Sequence, residues 1–200
     1  MLEARNLTLW RGDTCLFENL SLQVHRASAL VLRGANGAGK TTLLRVLCGL
    51  TRPEAGEILW RGETAAGRLR GAVAYGGHLA ALNADLTVMQ NLGFYGRLPG
   101  VRRDWRDLLS VLALDRCRDL EVRHLSAGQK RRAGLARVLM SGAPLWLLDE
   151  PFTNLDAEGR RLVDDRITAH LAGGGIAVVA AHDDMRLPGA TVDTLRLGVH

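Results

Sequence analysis

The stretch Gly34-Ala35-Asn36-Gly37-Ala38-Gly39-Lys40-Thr41-Thr42 constrains this chain more than any other. An apolar run, Ala29 to Leu32, leads into it, and a helix-like run, Thr42 to Leu50, leads out. A strand, a glycine-rich turn and a helix in that order make a phosphate-binding loop. Gly34, Gly37 and Gly39 carry no Cβ, so the backbone can turn tightly and bring its N–H groups to phosphate oxygens. The helix that follows adds its unpaired first-turn N–H groups and the positive end of its dipole. Lys40 is expected to set its ammonium on the β- and γ-phosphates of a nucleotide, and the Thr41 hydroxyl to ligate Mg²⁺. The choice of lysine is informative. Lys40 and Lys130 are the only lysines among 26 basic residues, so a compact point charge is wanted where arginine is otherwise the rule.

The rest of the chain reads as an α/β fold around this loop. Residues 2–9 and 20–24 alternate apolar and polar side chains across a Gly12-Asp13 turn and are expected to pair as antiparallel strands at a sheet edge. Residues 29–33 form the strand that feeds the loop. Residues 52–56 turn into a short strand at 58–60, 62–70 read as loop, and 72–75 as another core strand. From about Gly76 to Ser141 the period becomes helical, which predicts a helical lobe, about 77–141, inserted into the α/β core. Inside it, Thr87 with Gln90 and Ser126 with Gln129 match the capping-box spacing. Leu98-Pro99-Gly100 breaks the chain, and Trp105, Leu108, Leu109, Leu112 and Leu114 give the next helix an apolar face. Leu135, Val138 and Leu139 are expected to be the buried stripe of the helix that Ser126 opens. An apolar strand at 145–148 follows, then a helix capped by Asp156 with Leu162, Val163, Ile167 and Leu171 inward. The last buried strand, 176–180, delivers His182.

Asp149 and Glu150 close the 145–148 strand, and after a phosphate loop such a pair is the second half of a nucleotide site. Asp149 can hold Mg²⁺ through water while Thr41 holds it directly. Glu150 can orient and deprotonate an attacking water. His182 lies at the end of a core strand from which it can reach the γ-phosphate. The 200 residues suit a single domain with an inserted lobe, and the hydrophobic fraction, 47%, is ample for a core. No apolar run is long enough to span a bilayer and the first residues do not form a signal peptide, so a cytosolic protein is expected. Cys15, Cys48 and Cys117 match neither a disulfide framework nor a metal pattern and are expected to be buried thiols. Residues 97–137 hold 11 Lys/Arg and 5 Asp/Glu, a local charge of +6 against +5 for the whole chain. A basic lobe can meet nucleic acid, an anionic membrane surface or an acidic partner, or be a solvated helical face. Zinc-finger spacings and stacking-aromatic motifs are absent, and no nucleic-acid partner is expected.

With Leu125-Ser126-Ala127-Gly128-Gln129 the sequence resembles the ATP-binding cassette family. It departs from the commonest signature of that family at one residue, Ala127 in place of glycine. The order of motifs also matches: phosphate loop, signature, Asp149-Glu150, the Asn154-Leu155-Asp156 turn and His182, together covering essentially the whole chain. The resemblance implies a P-loop NTPase core with an antiparallel β subdomain and an inserted α-helical subdomain. It also implies a head-to-tail homodimer with two ATP molecules and Mg²⁺ between the subunits. Ser126, Gly128 and Gln129 of one protomer would then face the phosphate loop of the other, with Asp156 crossing the interface. The family usually places a Gln nine residues before the threonine equivalent to Thr87; here that place is His78, whose imidazole can contact Mg²⁺-bound water or the γ-phosphate. The family's adenine-stacking aromatic falls at Arg11, with Trp10 beside it, and either can stack.

Within the family, several details are similar to the ATP-binding subunits of cytochrome c maturation transporters, which are called haem exporters. They are the short chain, Ala127, His78 after Gly76-Gly77, the Asn91-Leu92-Gly93-Phe94-Tyr95 run and Pro151-Phe152-Thr153-Asn154-Leu155-Asp156. That resemblance implies two copies of the chain with integral membrane subunits, at the cytoplasmic face of a bacterial inner membrane. The apolar segment from Leu79 to Leu86 is the expected groove for a membrane subunit's cytoplasmic helix, and Leu82→Asp is expected to uncouple it. The rivals are the ATPase of another transporter, for a drug, lipid or solute, and a cassette ATPase acting on nucleic acid.

Overall fold

The computed structural model describes residues 1–65, 69, 71–98, 101, 106–182, 185 and 187–198. Strands β1 (Leu2–Arg11) and β2 (Thr14–Val24) form a hairpin across Gly12-Asp13, with Gly12 at φ 59°. β3 (Ser28–Arg33) enters the glycine loop, and α1 (Lys40–Leu47) leaves it. β4 (Ala55–Trp60), β5 (Glu63–Thr64) and β6 (Val73–Gly76) follow. Then come α2 (Val88–Tyr95), α3 (Arg106–Val111) and α4 (Ala127–Met140), with single 3-10 turns at Asp115–Cys117 and Val122–His124. β7 (Leu145–Asp149), α5 (Ala157–Ala172), β8 (Ile176–Ala180) and β9 (Thr191–Arg196) complete the order.

Two sheets result. One is antiparallel, in the order β2-β1-β4-β5, and the other is parallel, in the order β6-β7-β8-β3-β9. The first two strands therefore build a sheet of their own and do not edge the main one, because β4 pairs with β1. Strand alternation divides the core of the parallel sheet cleanly. Ala29, Val31, Trp146, Leu148, Ala177 and Val179 face the helices α2 to α5. Leu30, Leu32, Leu145, Leu147, Ile176, Val178 and Ala180 face α1 and the antiparallel sheet. Both faces are covered, so these strands are apolar throughout and read as continuous hydrophobic runs.

Several boundaries differ from expectation. α1 starts at Lys40, two residues early, because Gly39 at φ 91° already turns the chain into the helix. It stops at Leu47, since Gly49 adopts φ 77° and leaves Leu50 62% exposed. A two-residue strand, β5, stands inside the expected 62–70 loop. β9 escaped the sequence reading: Thr194 and its neighbours are mostly exposed, so they lack the apolar run that marks a buried strand. Only Cys117 is buried; Cys15 and Cys48 are half-buried. Leu162 is half-buried, whereas Val163, Ile167 and Leu171 are buried as expected. Trp105 and Pro99-Gly100 lie outside the described residues.

Candidate functional site

The carboxyl ends of the central strands meet at one level. Leu32 of β3 pairs with Ala180 of β8, and Ala180 pairs with Asp149 of β7. The residues that leave these three strands therefore converge: the glycine loop after β3, Glu150 after β7 and His182 after β8. In open parallel sheets this is the edge where ligands bind.

The loop has the backbone that its glycines allow. Gly34, Gly37 and Gly39 lie at φ 148°, 84° and 91°, and a Cβ on Gly34 would strike the Leu197 carbonyl oxygen. Gly39 starts α1 without any side-chain cap, so the first-turn N–H groups have no competing acceptor from a capping side chain. Ala35, Asn36 and Gly37 are exposed, while Ala38, Gly39 and Lys40 are buried. Lys40 Nζ donates to the carbonyl oxygens of Gly34 (2.7 Å) and Ala35 (3.0 Å), which holds the ammonium over the loop. Thr41 Oγ1 donates to both oxygens of Asp149, at 3.1 and 2.9 Å. A hydroxyl and a carboxylate side by side are hard oxygen donors of the type Mg²⁺ takes. Thr42 follows in the first turn of α1. Burial pushes the Asp149 carboxyl above the usual carboxylate range. The Thr41 hydroxyl opposes that shift, Glu150 adds to it, and nearby His78 and Arg131 oppose it. His78 itself is exposed.

Glu150 sits at φ 50°, a left-handed conformation that costs a glutamate roughly 1–3 kcal/mol. Its backbone is held from both sides: the N–H donates to Ala180 O at 2.9 Å, and the C=O accepts from Arg131 Nη2 at 2.7 Å. Its carboxylate is held as well. Oε1 lies 3.1 Å from His182 Nε2, and Oε2 accepts from Thr153 Oγ1 at 3.3 Å. The His182 carbonyl in turn accepts from Arg33 Nη1 at 2.8 Å.

Arg131 is the residue that sequence reasoning missed. Counted within a basic lobe, it is instead only 8% exposed. Its guanidinium donates to the carbonyls of Gly77 (2.8 Å), His78 (3.2 Å), Glu150 and Pro151, and also to that of Asp149. It thus ties the segment bearing His78 to the end of β7. Glycines three positions to either side allow α4 to come this close. A Cβ on Gly128 would lie 2.7 Å from Asn154 O, and one on Gly134 would lie 2.8 Å from the Ala80 Cβ. The regular spacing Gly128, Arg131, Gly134 puts all three on one helix face, and that spacing was the available signal.

α4 begins as its sequence predicts. Ser126 Oγ accepts from Gln129 N (3.2 Å) and Gln129 Oε1 accepts from Ser126 N (2.9 Å), a complete capping box. α2 begins likewise with Thr87 and Gln90. Asp156, exposed, caps α5 by accepting from Gly159 N at 2.8 Å. Trp10 is 43% exposed and Arg11 is exposed, both at the end of β1, so either remains open to a ligand ring.

The 79–86 segment is moulded by α2. Asn91 Nδ2 donates to the carbonyls of Asn83, Leu86 and Thr87, its Oδ1 accepts from Asn83 N, and Tyr95 Oη donates to Ala81 O at 2.6 Å. Leu82 packs against the helical core, so Leu82→Asp would test folding and not docking; Leu79, 80% exposed, is the apolar side chain the segment offers to a partner. No helix among the described residues is long and apolar enough to cross a membrane.

The ABC transporter family model matches residues 17–153. The Cytochrome c biogenesis ATP-binding export protein CcmA of Xanthomonas campestris pv. campestris is 48% identical over 191 residues, covering 94% of this chain and 89% of that protein. The protein of the same name from Dechloromonas aromatica is 43% identical, over 99% of this chain and all of that one. Among solved structures, the ATP-binding subunit of an ABC transporter superposes with a TM-score of 0.80 at 26% identity, covering 90% of this chain and 79% of that one. A dimeric ATP-binding cassette bound to ADP and Pi shares the fold, with a TM-score of 0.79 at 22% identity over 92% and 88% of the two chains. With the phosphate loop and the acidic pair at one sheet edge and the capped helix α4 packed against the segment after β7, the chain belongs to the ABC transporter family, in the group of the cytochrome c biogenesis ATP-binding proteins.

Proposed function

We propose that this chain hydrolyses ATP as the energising subunit of a transporter for cytochrome c biogenesis, driving haem export or the release of a haem-loaded chaperone. One observation carries the reading: similarity to the cytochrome c biogenesis ATP-binding export proteins runs over 94% of the chain and so takes in every motif of the site together.

The roles follow from the geometry. The backbone N–H groups from Gly34 to Thr42 receive the phosphates, and Lys40 exchanges its Gly34 and Ala35 carbonyl partners for phosphate oxygens. Thr41 and Asp149 would hold Mg²⁺, which when bound neutralises phosphate charge as a Lewis acid. Glu150 takes the proton of the attacking water. His182, on Glu150 Oε1, orients that carboxylate and would reach the γ-phosphate; His78, close enough to act on the Asp149 carboxyl, would contact Mg²⁺-bound water or the γ-phosphate. Ser126, Gly128 and Gln129 complete the site of a second copy, and Asp156 lies at that interface. Residues 1–200 act as one cassette, whose helical lobe, about 77–141, meets integral membrane subunits through Leu79. The protein would then sit peripherally at the cytoplasmic face of a bacterial inner membrane.

The test is Glu150→Gln in the native host, with c-type cytochromes counted by haem staining. The substitution keeps ATP binding and removes the general base, so the purified protein should turn over ATP about 10²–10⁴-fold more slowly. Loss of c-type cytochromes with b-type haem proteins intact supports the reading. Normal c-type cytochromes in a host with no second gene copy would leave the ATPase and end the cytochrome assignment. For docking, Leu79→Asp should abolish association with the membrane subunits while ATP affinity stays the same; unchanged association would rule out this contact.

A further inference from the structure

A cavity of about 590 Å³ lies at the opposite end of the parallel sheet from the nucleotide edge, where Pro144 enters β7 and Gly173, Gly174 and Gly175 enter β8. Its size falls within the roughly 300–1,000 Å³ usual for small-molecule sites. Arg26, Arg61 and Arg166 line it, and no aspartate or glutamate does. The absence is selective, because the chain has 21 acidic residues. Among the described residues, none of the three guanidinium groups has an ion pair with a carboxylate; Arg61 lies 5.4 Å over the Trp60 ring. Arg166 Nε is buried without a hydrogen-bond partner, and so is Nε1 of Trp146, a cavity residue only 6% exposed.

The cavity wall is built rather than accidental. His170 is anchored by the Ile176 carbonyl at 3.1 Å and stacks on Trp146, with ring centroids 3.9 Å apart and planes within 6°. The glycines make room: a Cβ on Gly174, at φ 82°, would lie 2.8 Å from the Arg26 guanidinium, and one on Gly175 would strike the His170 ring. The remaining lining includes the apolar Leu139 and Trp60, and Met1, whose terminal ammonium lies near Arg61 and Arg26 and adds to the positive charge. Guanidinium forks match carboxylate and phosphate oxygens in pairs.

We propose that this cavity is a second ligand site, separate from the nucleotide site, that binds a small organic anion whose phosphate or carboxylate meets Arg26, Arg61 and Arg166 and whose apolar ring or chain lies along Trp146 and Leu139. The probe is 1-naphthyl phosphate, titrated by calorimetry into the full chain saturated with Mg²⁺ and a non-hydrolysable ATP analogue. Saturable one-to-one binding is expected, at least tenfold weaker for uncharged 1-naphthol. Binding should also weaken at least tenfold in an Arg26→Gln/Arg166→Gln double variant that keeps its affinity for the ATP analogue. If the double variant does not fold, Arg61→Gln alone makes the same comparison. Absence of saturable binding overturns the proposal, as does binding that is unchanged in the variants or displaced by excess ATP analogue. Anionic phosphatidylglycerol vesicles provide the last arm. Arginine-dependent capture by vesicles without binding of the soluble probe would assign these arginines to a lipid surface and also overturn the small-ligand site.

Discussion

The two helix starts that frame the site are opposites. α1 begins at Gly39, in a left-handed conformation and with no side-chain cap. α4 begins at Ser126 with both halves of a capping box closed. A bare start keeps its N–H groups for a ligand, whereas a boxed start satisfies two of them, those of Ser126 and Gln129, within the chain. A single protomer therefore holds a ready phosphate site at α1 and a partly closed one at α4. For Ser126 to serve a nucleotide held by a second copy, its hydroxyl must share or leave the bond from Gln129. The contrast separates the part of the site that a protomer owns from the part that assembly would open.

The largest effect is expected at α1. Lys40→Ala removes a buried cation held over the loop and should weaken ATP binding by about 2–5 kcal/mol, roughly 30- to several-thousand-fold. Equilibrium titration with a fluorescent ATP analogue reads it, and an unchanged affinity would end the view of α1 as the owned half.

Arg131→Met comes next. It keeps the apolar stem but leaves the Gly77, His78, Glu150 and Pro151 carbonyls short of a donor, at about 1–3 kcal/mol for each group that water cannot reach. Urea unfolding should show the loss of stability. Because Arg131 holds the strained backbone of Glu150, kcat should fall more than ATP affinity. A stability loss with kcat intact would reduce Arg131 to packing.

Ser126→Ala opens the box at α4 and should cost about 1 kcal/mol of stability. ATP affinity of dilute protomers should not change, while ATPase activity at high protein concentration falls. Weaker ATP binding by dilute protomers would contradict the division between the two helix starts.

The smallest effect concerns Asp149 and pH. Burial raises its folded pKa above the unfolded value, so the fold favours the protonated form. That contribution is present at low pH and lost as pH rises through the folded pKa. At neutral pH the ionised carboxylate thus destabilises the nucleotide-free protein. Asp149→Asn keeps an oxygen for Thr41 and removes the charge. It should raise Tm by about 2–4 °C per kcal/mol relieved, with the gap closing as pH falls into the carboxylate range. A gap that does not vary with pH would show that charge burial is not its cause.

What the sequence alone determined was local in origin. The phosphate loop needs glycine at three positions and an apolar strand before it, all within a dozen residues. The capping boxes at Thr87 and Ser126 depend on side chains three residues apart, and the buried strands on unbroken apolar runs. Each signal is read from a residue's own neighbours in the chain, so the loop, the acidic pair and the capped helix starts at Thr87 and Ser126 stand where they were expected. What only the tertiary structure decided rests on partners far apart in sequence. Arg131 reads as one more charge in a basic stretch until its guanidinium meets carbonyls 18 to 54 residues away. The separate antiparallel sheet depends on β4 pairing back onto β1, and β9 is a strand only because β3 is beside it. The cavity arginines come from positions 26, 61 and 166, brought together at the sheet's amino end by chain crossings that no local pattern records. Periodicity and turn chemistry act over a few residues, whereas backbone pairing and burial of charge act between whichever segments the fold brings into contact.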